Sequence, residues 1–161
     1  MGETRTNEQA KPGPLRLTNR EKGTPGSATI LVVEDEDFVR EVTCEVLQFE
    51  GYQVLKARSA MEAIRIFHQS GEKVQLLLTD IMLPGRTGHD LARKLRGECP
   101  GLRTLFVSGY PENDAMQKDL PEAEAFYLPK PFSVESLMRM VRQVLQRSGE
   151  EDGGDGKEES A

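Results

Sequence analysis

Residues 74–88 read VQLLLTDIMLPGRTG, and this stretch decides the fold. Its first six residues form an apolar, β-favouring run that stops at Asp80, which is typical of a strand covered on both faces. Two similar runs, ATILVV at 28–33 and RTLFV at 103–107, predict two more buried strands. Several such runs in one domain predict a parallel sheet that is covered by helices on both faces.

The segments between and beside these runs predict edge strands and helices. YQVLKA at 52–57 and AFYL at 125–128 are shorter and more mixed, as edge strands are. Residues 111–121 predict only one short helix, from Asp114 to Leu120. The first helix is predicted by apolar residues at helical spacing and a terminal glycine, namely Val39, Val42, Val46, Phe49 and Gly51. Capping-box patterns predict the starts of two more helices, at Ser59 and Glu62 and at Thr87 and Asp90. A last helix is predicted from the cap Ser133 and the apolar residues Leu137, Val141 and Val144. Five strand–helix alternations predict an α/β fold, a doubly wound five-stranded parallel sheet with helices on both faces.

Composition limits the domain organisation and the class of partner. The 161 residues carry a net charge of −6. Residues 28–148 are predicted to form one domain, between a flexible tail at 1–27 and an acidic, disordered tail at 149–161. The domain is mildly acidic without a basic stripe, which argues against nucleic acid as a direct partner.

The sequence also indicates a compartment. No apolar run is long enough for a membrane span, and the N-terminus lacks the apolar region of a secretory signal. Cys44 and Cys99 lie far apart without metal or redox spacing, so we expect reduced thiols in a cytoplasmic protein.

Polar residues follow four of the predicted strands at the point where each strand ends. Glu34 and Asp35 follow the first, Asp80 ends the third, Ser108 and Gly109 end the fourth, and Lys130 follows the fifth. Carboxyl ends of parallel strands share one edge of a sheet, where ligands bind in open α/β folds. Each residue alone also fits an ordinary helix start, turn or surface position. Together, three mutually repelling carboxylates favour a hard divalent cation, while the lysine, hydroxyl and backbone N–H suit a phosphate.

Four segments resemble the response regulator receiver family, over roughly residues 28–147. ILVVEDED resembles its first strand with the acidic pair, LLLTDIMLPGRTG its phosphoacceptor loop, FVSGY its switch strand and FYLPKPF its lysine–proline segment. The resemblance implies a flavodoxin-like (βα)5 sheet with strand order 2-1-3-4-5. It also implies a phosphorelay switch that takes a phosphoryl group from the phosphohistidine of a histidine kinase or phosphotransfer protein, without turnover of an external substrate.

The resemblance assigns roles by position. Asp80 would be the phosphoacceptor. Mg²⁺ would be bound by Asp35, Asp80 and the backbone carbonyl of Met82, with Glu34 acting through water. Lys130 would contact the phosphate, Ser108 would be the switch hydroxyl and Tyr127 the switch aromatic. Residue chemistry, rather than the resemblance, adds the Ser108 hydroxyl and the Gly109 N–H as phosphate donors. Met82 and Tyr110 lie two places beyond Asp80 and Ser108, where they should border the approach of water and influence the phosphoryl lifetime. A cis bond between Lys130 and Pro131 is implied as well.

Some features of the resemblance leave alternatives open. Glu34 stands where aspartate is commoner, and SGYPEN resembles the receivers attached to hybrid histidine kinases. The chain could be a single-domain regulator or part of a larger kinase, as a monomer or weak homodimer. Competing functions are a phosphorylation-independent binding module, a flavin-binding protein and an aspartyl-phosphate phosphatase. Intact Asp35, Asp80, Ser108 and Lys130 favour the switch. The acidic first loop would repel a flavin phosphate, and a phosphatase would usually need a second acid and a cap over the site, neither of which the sequence indicates.

Overall fold

The computed structural model describes residues 27–70, 73–109 and 125–151. Five strands form one parallel sheet in the order β2-β1-β3-β4-β5, which confirms the predicted architecture. The strands are β1 (Thr29–Val33), β2 (Gln53–Ala57), β3 (Val74–Asp80), β4 (Arg103–Ser108) and β5 (Ala125–Pro129).

Helices cover both faces of the sheet, as the buried strands require. They are α1 (Asp37–Phe49), α2 (Ala60–Ser70), α3 (Gly88–Glu98) and α4 (Val134–Glu151). The alternate residues of each strand feed two cores. One lies under α1 and α4 and contains Ile30, Val32, Leu47, Leu78, Val141 and Val144, and the other lies under α2 and α3 and contains Leu31, Val33, Phe67, Leu77, Leu91 and Leu95.

Side-chain caps fix where three of the helices begin. The hydroxyl oxygens of Ser59, Thr87 and Ser133 accept hydrogen bonds from backbone N–H groups three residues later, at 3.1, 3.1 and 3.0 Å. At the end of α1, Gly51 adopts a φ of 99°, which glycine tolerates better than other residues. The predicted capping patterns and the terminal glycine are confirmed.

The face that α1 turns to the core differs from the one that its valines suggest. Val42 and Phe49 are exposed, and Phe49 is 79% exposed. The buried side chains of the helix are those of Arg40, Thr43, Cys44 and Leu47. Helical spacing therefore predicted the element correctly, but the buried stripe lies on a neighbouring face and begins with an arginine.

Some of the sequence predictions fall on residues outside the described ranges. The predicted helix 114–120 and Tyr110 lie outside the described residues, as do nearly all of both predicted tails, so the domain boundaries remain predictions.

Cys44 and Cys99 are free cysteines, and burial raises the pKa of the Cys44 thiol to about 11, which suits a packing residue. Across the described ranges, each helix is too short or too polar to cross a membrane.

Candidate functional site

The sheet brings the predicted polar residues to one edge. Strands β1, β3, β4 and β5 are consecutive neighbours, and their carboxyl ends lead into Glu34, Asp80, Ser108 and Lys130. Parallel pairing sets Asp80 beside Val107, and Ser108 beside Pro129. Topology alone therefore places the acidic loop, the central aspartate and the lysine around a common point.

Three carboxylates meet at this point. One oxygen from each of Glu34, Asp35 and Asp80 lies within 4.8 Å of the other two. Glu34 and Asp80 are buried, whereas Asp35 is exposed. Each close pair of negative charges repels by about 4 kcal/mol at the effective dielectric near a protein surface. Oxygen ligands crowded in this way, with solvent access on one side, fit a divalent cation such as Mg²⁺.

Lys130 crosses the gap from β5 to the acids. Its Nζ donates to Asp80 Oδ2 at 2.7 Å and to Glu34 Oε2 at 3.2 Å. Burial lowers the pKa of the ammonium group, but the hydrogen bonds and charges of Asp80 and Glu34 outweigh this and raise it overall. Lys130 therefore holds a positive charge against the acids. The bond between Lys130 and Pro131 is cis, as the sequence implied.

Glu34 is the carboxylate of the cluster whose ionisation the folded protein disfavours. Burial, followed by the negative charge of Asp80, raises its pKa from 4.5 to about 7, although Lys130 acts in the opposite direction. Near neutral pH the folded protein therefore holds Glu34 partly protonated. Ionising it works against the fold in the absence of a cation.

The loop after β3 fixes the Asp80 carboxylate. The backbone N–H of Met82 donates to Asp80 Oδ1 at 2.9 Å, so each carboxylate oxygen has its own donor. Gly88 returns to the strand end and donates to the carbonyl of Ile81 at 2.8 Å. A Cβ at Gly88 would collide with the carbonyl oxygen of Asp80, so a glycine is needed there. The Met82 side chain is 60% exposed beside the site.

Ser108 and Tyr127 lie on β4 and β5, the two strands that follow β3 in the sheet order. Ser108 is buried at the end of β4, and its carbonyl accepts from the N–H of Lys130 at 2.7 Å. The Tyr127 ring stacks on the Phe106 ring with 5.3 Å between the ring centroids, and the Tyr127 hydroxyl is buried. The His89 ring also packs on Phe106, with a centroid distance of 4.4 Å, and its centroid lies 6.1 Å from that of Tyr127. The described part of the site thus joins Tyr127, the residue predicted to act as a switch, to an aromatic cluster.

Sequence reasoning overlooked two residues of this region. His89, at the start of α3, was not predicted to join the site, but it is buried against the aromatic rings. Arg40 was not considered, although it donates to the backbone carbonyl of Glu34 at 2.9 Å. A signal for Arg40 existed in the sequence. It precedes Cys44 by four residues and Leu47 by seven, the spacing of one helical face.

Replacing Glu34 by glutamine should stabilise the cation-free protein at alkaline pH. The folded-state pKa of Glu34 lies above its unfolded value, so its contribution to stability is full below about pH 4.5 and is lost as pH rises through about 7. The Glu34→Gln variant avoids that loss, which is worth up to about 3 kcal/mol. At pH 8 with a chelator present, its melting temperature should exceed that of the wild type by roughly 10 °C.

The pH profile separates this effect from a general gain in stability. The difference should shrink toward pH 5, where the wild-type glutamic acid is protonated. Glu45→Gln changes an exposed glutamate of α1 and serves as the matched control, with the same melting temperature as the wild type. Equal melting of Glu34→Gln and wild type at pH 8 would contradict the strain assigned to Glu34.

Comparison with known proteins identifies the family. The family model described as the response regulator receiver domain matches residues 30–142. The sensor kinase CckA of Brucella abortus is 42% identical over 123 residues, which are 76% of this chain and 13% of that protein. The probable transcriptional regulatory protein TcrX of Mycobacterium tuberculosis is 32% identical over 130 residues, 81% of this chain and 54% of that protein.

A solved structure agrees with these sequence relatives. The crystal structure of the receiver domain from the hybrid histidine kinase CckA superimposes with a TM-score of 0.64 and 36% identity. It covers 74% of this chain and 100% of that one. The similarity thus spans a whole receiver domain, whereas the chain spans at most about half the length of the full-length relatives described above.

Proposed function

The chain belongs to the response regulator receiver family, and from that premise we propose that Asp80 is the residue at which this phosphorelay switch is phosphorylated. The donor would be the phosphohistidine of a histidine kinase or phosphotransfer protein. In the transfer, the bond from phosphorus to the donor imidazole breaks as a bond to an Asp80 oxygen forms. The imidazole keeps the electron pair and is reprotonated from solvent.

The observation that carries this proposal is the fixed geometry of the Asp80 carboxylate. Lys130 holds one oxygen at 2.7 Å and the Met82 N–H holds the other at 2.9 Å. A nucleophile that is already held in one orientation has little freedom left to lose in the transition state. Phosphoryl transfer depends mainly on such positioning and on charge stabilisation.

We propose Mg²⁺ as the cofactor of this step. Asp35, Asp80 and the Met82 carbonyl would hold it directly and Glu34 through water, and the crowded carboxylates support this assignment. When bound, Mg²⁺ supplies positive charge against the oxygens of the transferring phosphoryl group. Lys130 would contact another phosphate oxygen, with the Ser108 hydroxyl and the Gly109 N–H completing the cradle.

The response to phosphorylation would run from Ser108 to Tyr127. A phosphoryl group on Asp80 presents strong acceptor oxygens, which would draw the Ser108 hydroxyl toward them. Tyr127 would occupy the space that this movement leaves. The Tyr127 ring stacks on Phe106 of β4, the strand that ends in Ser108, so a movement at Ser108 has a packed route to Tyr127.

We propose a cytoplasmic setting and protein partners that carry phosphohistidine, without turnover of an external substrate. The name of one relative, sensor kinase CckA, supports a kinase as partner. Direct binding of nucleic acid is not part of the proposal, because the predicted domain is acidic overall.

Incubation with a small phosphodonor such as acetyl phosphate should test the function directly. With millimolar Mg²⁺, intact-mass measurement should show a gain of about 80 Da, the mass of one phosphoryl group. The same incubation with a chelator should give no gain, because the acids would then repel the incoming phosphate. Absence of any gain with Mg²⁺ would contradict the proposed function, and an equal gain with chelator would contradict the role of the metal.

A further inference from the structure

Arg40 is a buried arginine on the first turn of α1. Only 7% of the residue is exposed. Its Nη1 donates to the backbone carbonyl of Glu34 at 2.9 Å, and its Nη2 pairs with Asp37 Oδ1 at 2.6 Å. A guanidinium is buried at a cost unless its donors are satisfied, so these contacts define where the side chain acts.

The two hydrogen bonds of Arg40 differ in their environment, and a third contact, the ion pair from Arg40 Nε to Glu41 Oε1, is long at 3.9 Å. The Asp37 side chain is 82% exposed, so solvent and salt screen that ion pair. The hydrogen bond to the Glu34 carbonyl is buried, and a bond from a charged donor in such a place is stronger than its neutral counterpart. The contact with the β1–α1 backbone is therefore the one that matters for geometry.

The carbonyl that Arg40 holds belongs to the peptide unit between Glu34 and Asp35. A peptide unit is planar, so fixing its oxygen also fixes the direction in which the chain enters Asp35. Within the ranges that the structure describes, the Asp35 carboxylate is exposed and has no hydrogen bond or ion pair of its own. Its position near Asp80 depends on the backbone that carries it.

We propose that Arg40 is a positioning residue for the cation site, acting on Asp35 through the Glu34 carbonyl. The proposal rests on the metal site assigned under the proposed function. Arg40 touches neither the cation nor the phosphoryl group. It keeps the acidic loop in the conformation in which the Asp35 and Asp80 oxygens lie close enough to share one ion.

Isothermal titration of Mg²⁺ into the intact chain should reveal this role. Arg40→Gln should bind Mg²⁺ about tenfold more weakly than the wild type, an effect typical of residues that orient metal ligands. Arg40→Lys should recover part of the affinity, because a lysine ammonium can still reach the Glu34 carbonyl, although it cannot contact Asp37 at the same time as the planar guanidinium does. Asp37→Asn should change the affinity less than twofold, since it removes only the screened contact.

Controls separate positioning from packing. Arg142→Gln removes another helical arginine in an ion pair, with Glu50 at 3.2 Å, and should leave Mg²⁺ affinity unchanged. Each variant is titrated below its own melting temperature, with circular dichroism to verify that it is folded. If Arg40→Gln does not fold, Arg40→Lys decides, with a severalfold loss expected.

The outcomes are distinguishable. Wild-type affinity in the folded Arg40 variants, with a lower melting temperature, would reduce Arg40 to a packing residue and overturn the inference while leaving the metal site intact. Failure of the wild type itself to bind Mg²⁺ would overturn the metal site and the inference with it.

Discussion

Asp80→Asn should abolish phosphorylation of this chain. The carboxamide is neutral and has an NH2 group in place of one carboxylate oxygen, while it keeps the size of the aspartate, so it would be a poor nucleophile toward phosphorus. In the wild type the Asp80 carboxylate is held by Lys130 and by the Met82 N–H, so under the proposed function the attacking group would already be oriented. Loss of both charge and nucleophile should remove the gain of about 80 Da altogether, rather than slow its appearance.

The fold should survive this substitution, so the loss can be assigned to chemistry. Asp80 is one of the causes that raise the pKa of Glu34, and its removal relieves that repulsion. Asp90→Asn makes the same chemical change at an exposed position of α3 and should be phosphorylated like the wild type. An undiminished mass gain in Asp80→Asn would show that the acceptor is another residue.

The edge of the sheet was predictable because strand ends are legible in the sequence. Apolar runs that stop at Glu34, Asp80 and Ser108 show where three strands finish, and a parallel sheet aligns those ends. The receiver-like motifs then ordered the strands. The meeting of the acids with Lys130 follows from topology, without any detail of side-chain packing.

The electrostatic state of the site was not predictable in the same way. The pKa of Glu34 is raised to about 7, mainly by burial and to a lesser extent by the charge of Asp80, and both causes depend on three-dimensional placement. The opposing effect of Lys130 comes from a residue 96 positions away in the chain. Sequence patterns identify which charges meet, but the balance between burial and charge pairing requires coordinates.

The buried face of α1 escaped sequence reasoning for a related reason. Apolar spacing favoured Val42 and Phe49 as members of a regular stripe, but both are exposed. The true stripe includes Arg40, whose buried charge is tolerated because the Glu34 carbonyl and Asp37 accept its hydrogen bonds. Asp37 begins the helix itself, whereas the Glu34 carbonyl lies in the preceding loop, and its contact with Arg40 can be recognised only when the loop is folded.

Met82→Asn should shorten the lifetime of the phosphorylated protein by about tenfold. Hydrolysis of an aspartyl phosphate requires water to approach phosphorus in line, opposite the Asp80 oxygen. The Met82 side chain is 60% exposed beside Asp80, and its thioether is a poor hydrogen-bonding group for orienting that water. One new hydrogen bond from an asparagine amide to the attacking water would be worth about 1 to 1.5 kcal/mol in the transition state.

A leucine at the same position separates hydrogen bonding from bulk. Met82→Leu keeps an apolar side chain of similar size and should decay at the wild-type rate, whereas both substitutions preserve the backbone N–H that donates to Asp80 at 2.9 Å. Decay is followed by intact mass after the phosphodonor is removed, with Mg²⁺ held constant. Faster decay of Met82→Leu as well would mean that methionine slows hydrolysis by shielding phosphorus. Loss from the wild type at the rate of Met82→Asn or faster would contradict any protective role for Met82, and the lifetime would then have to be set elsewhere in the site.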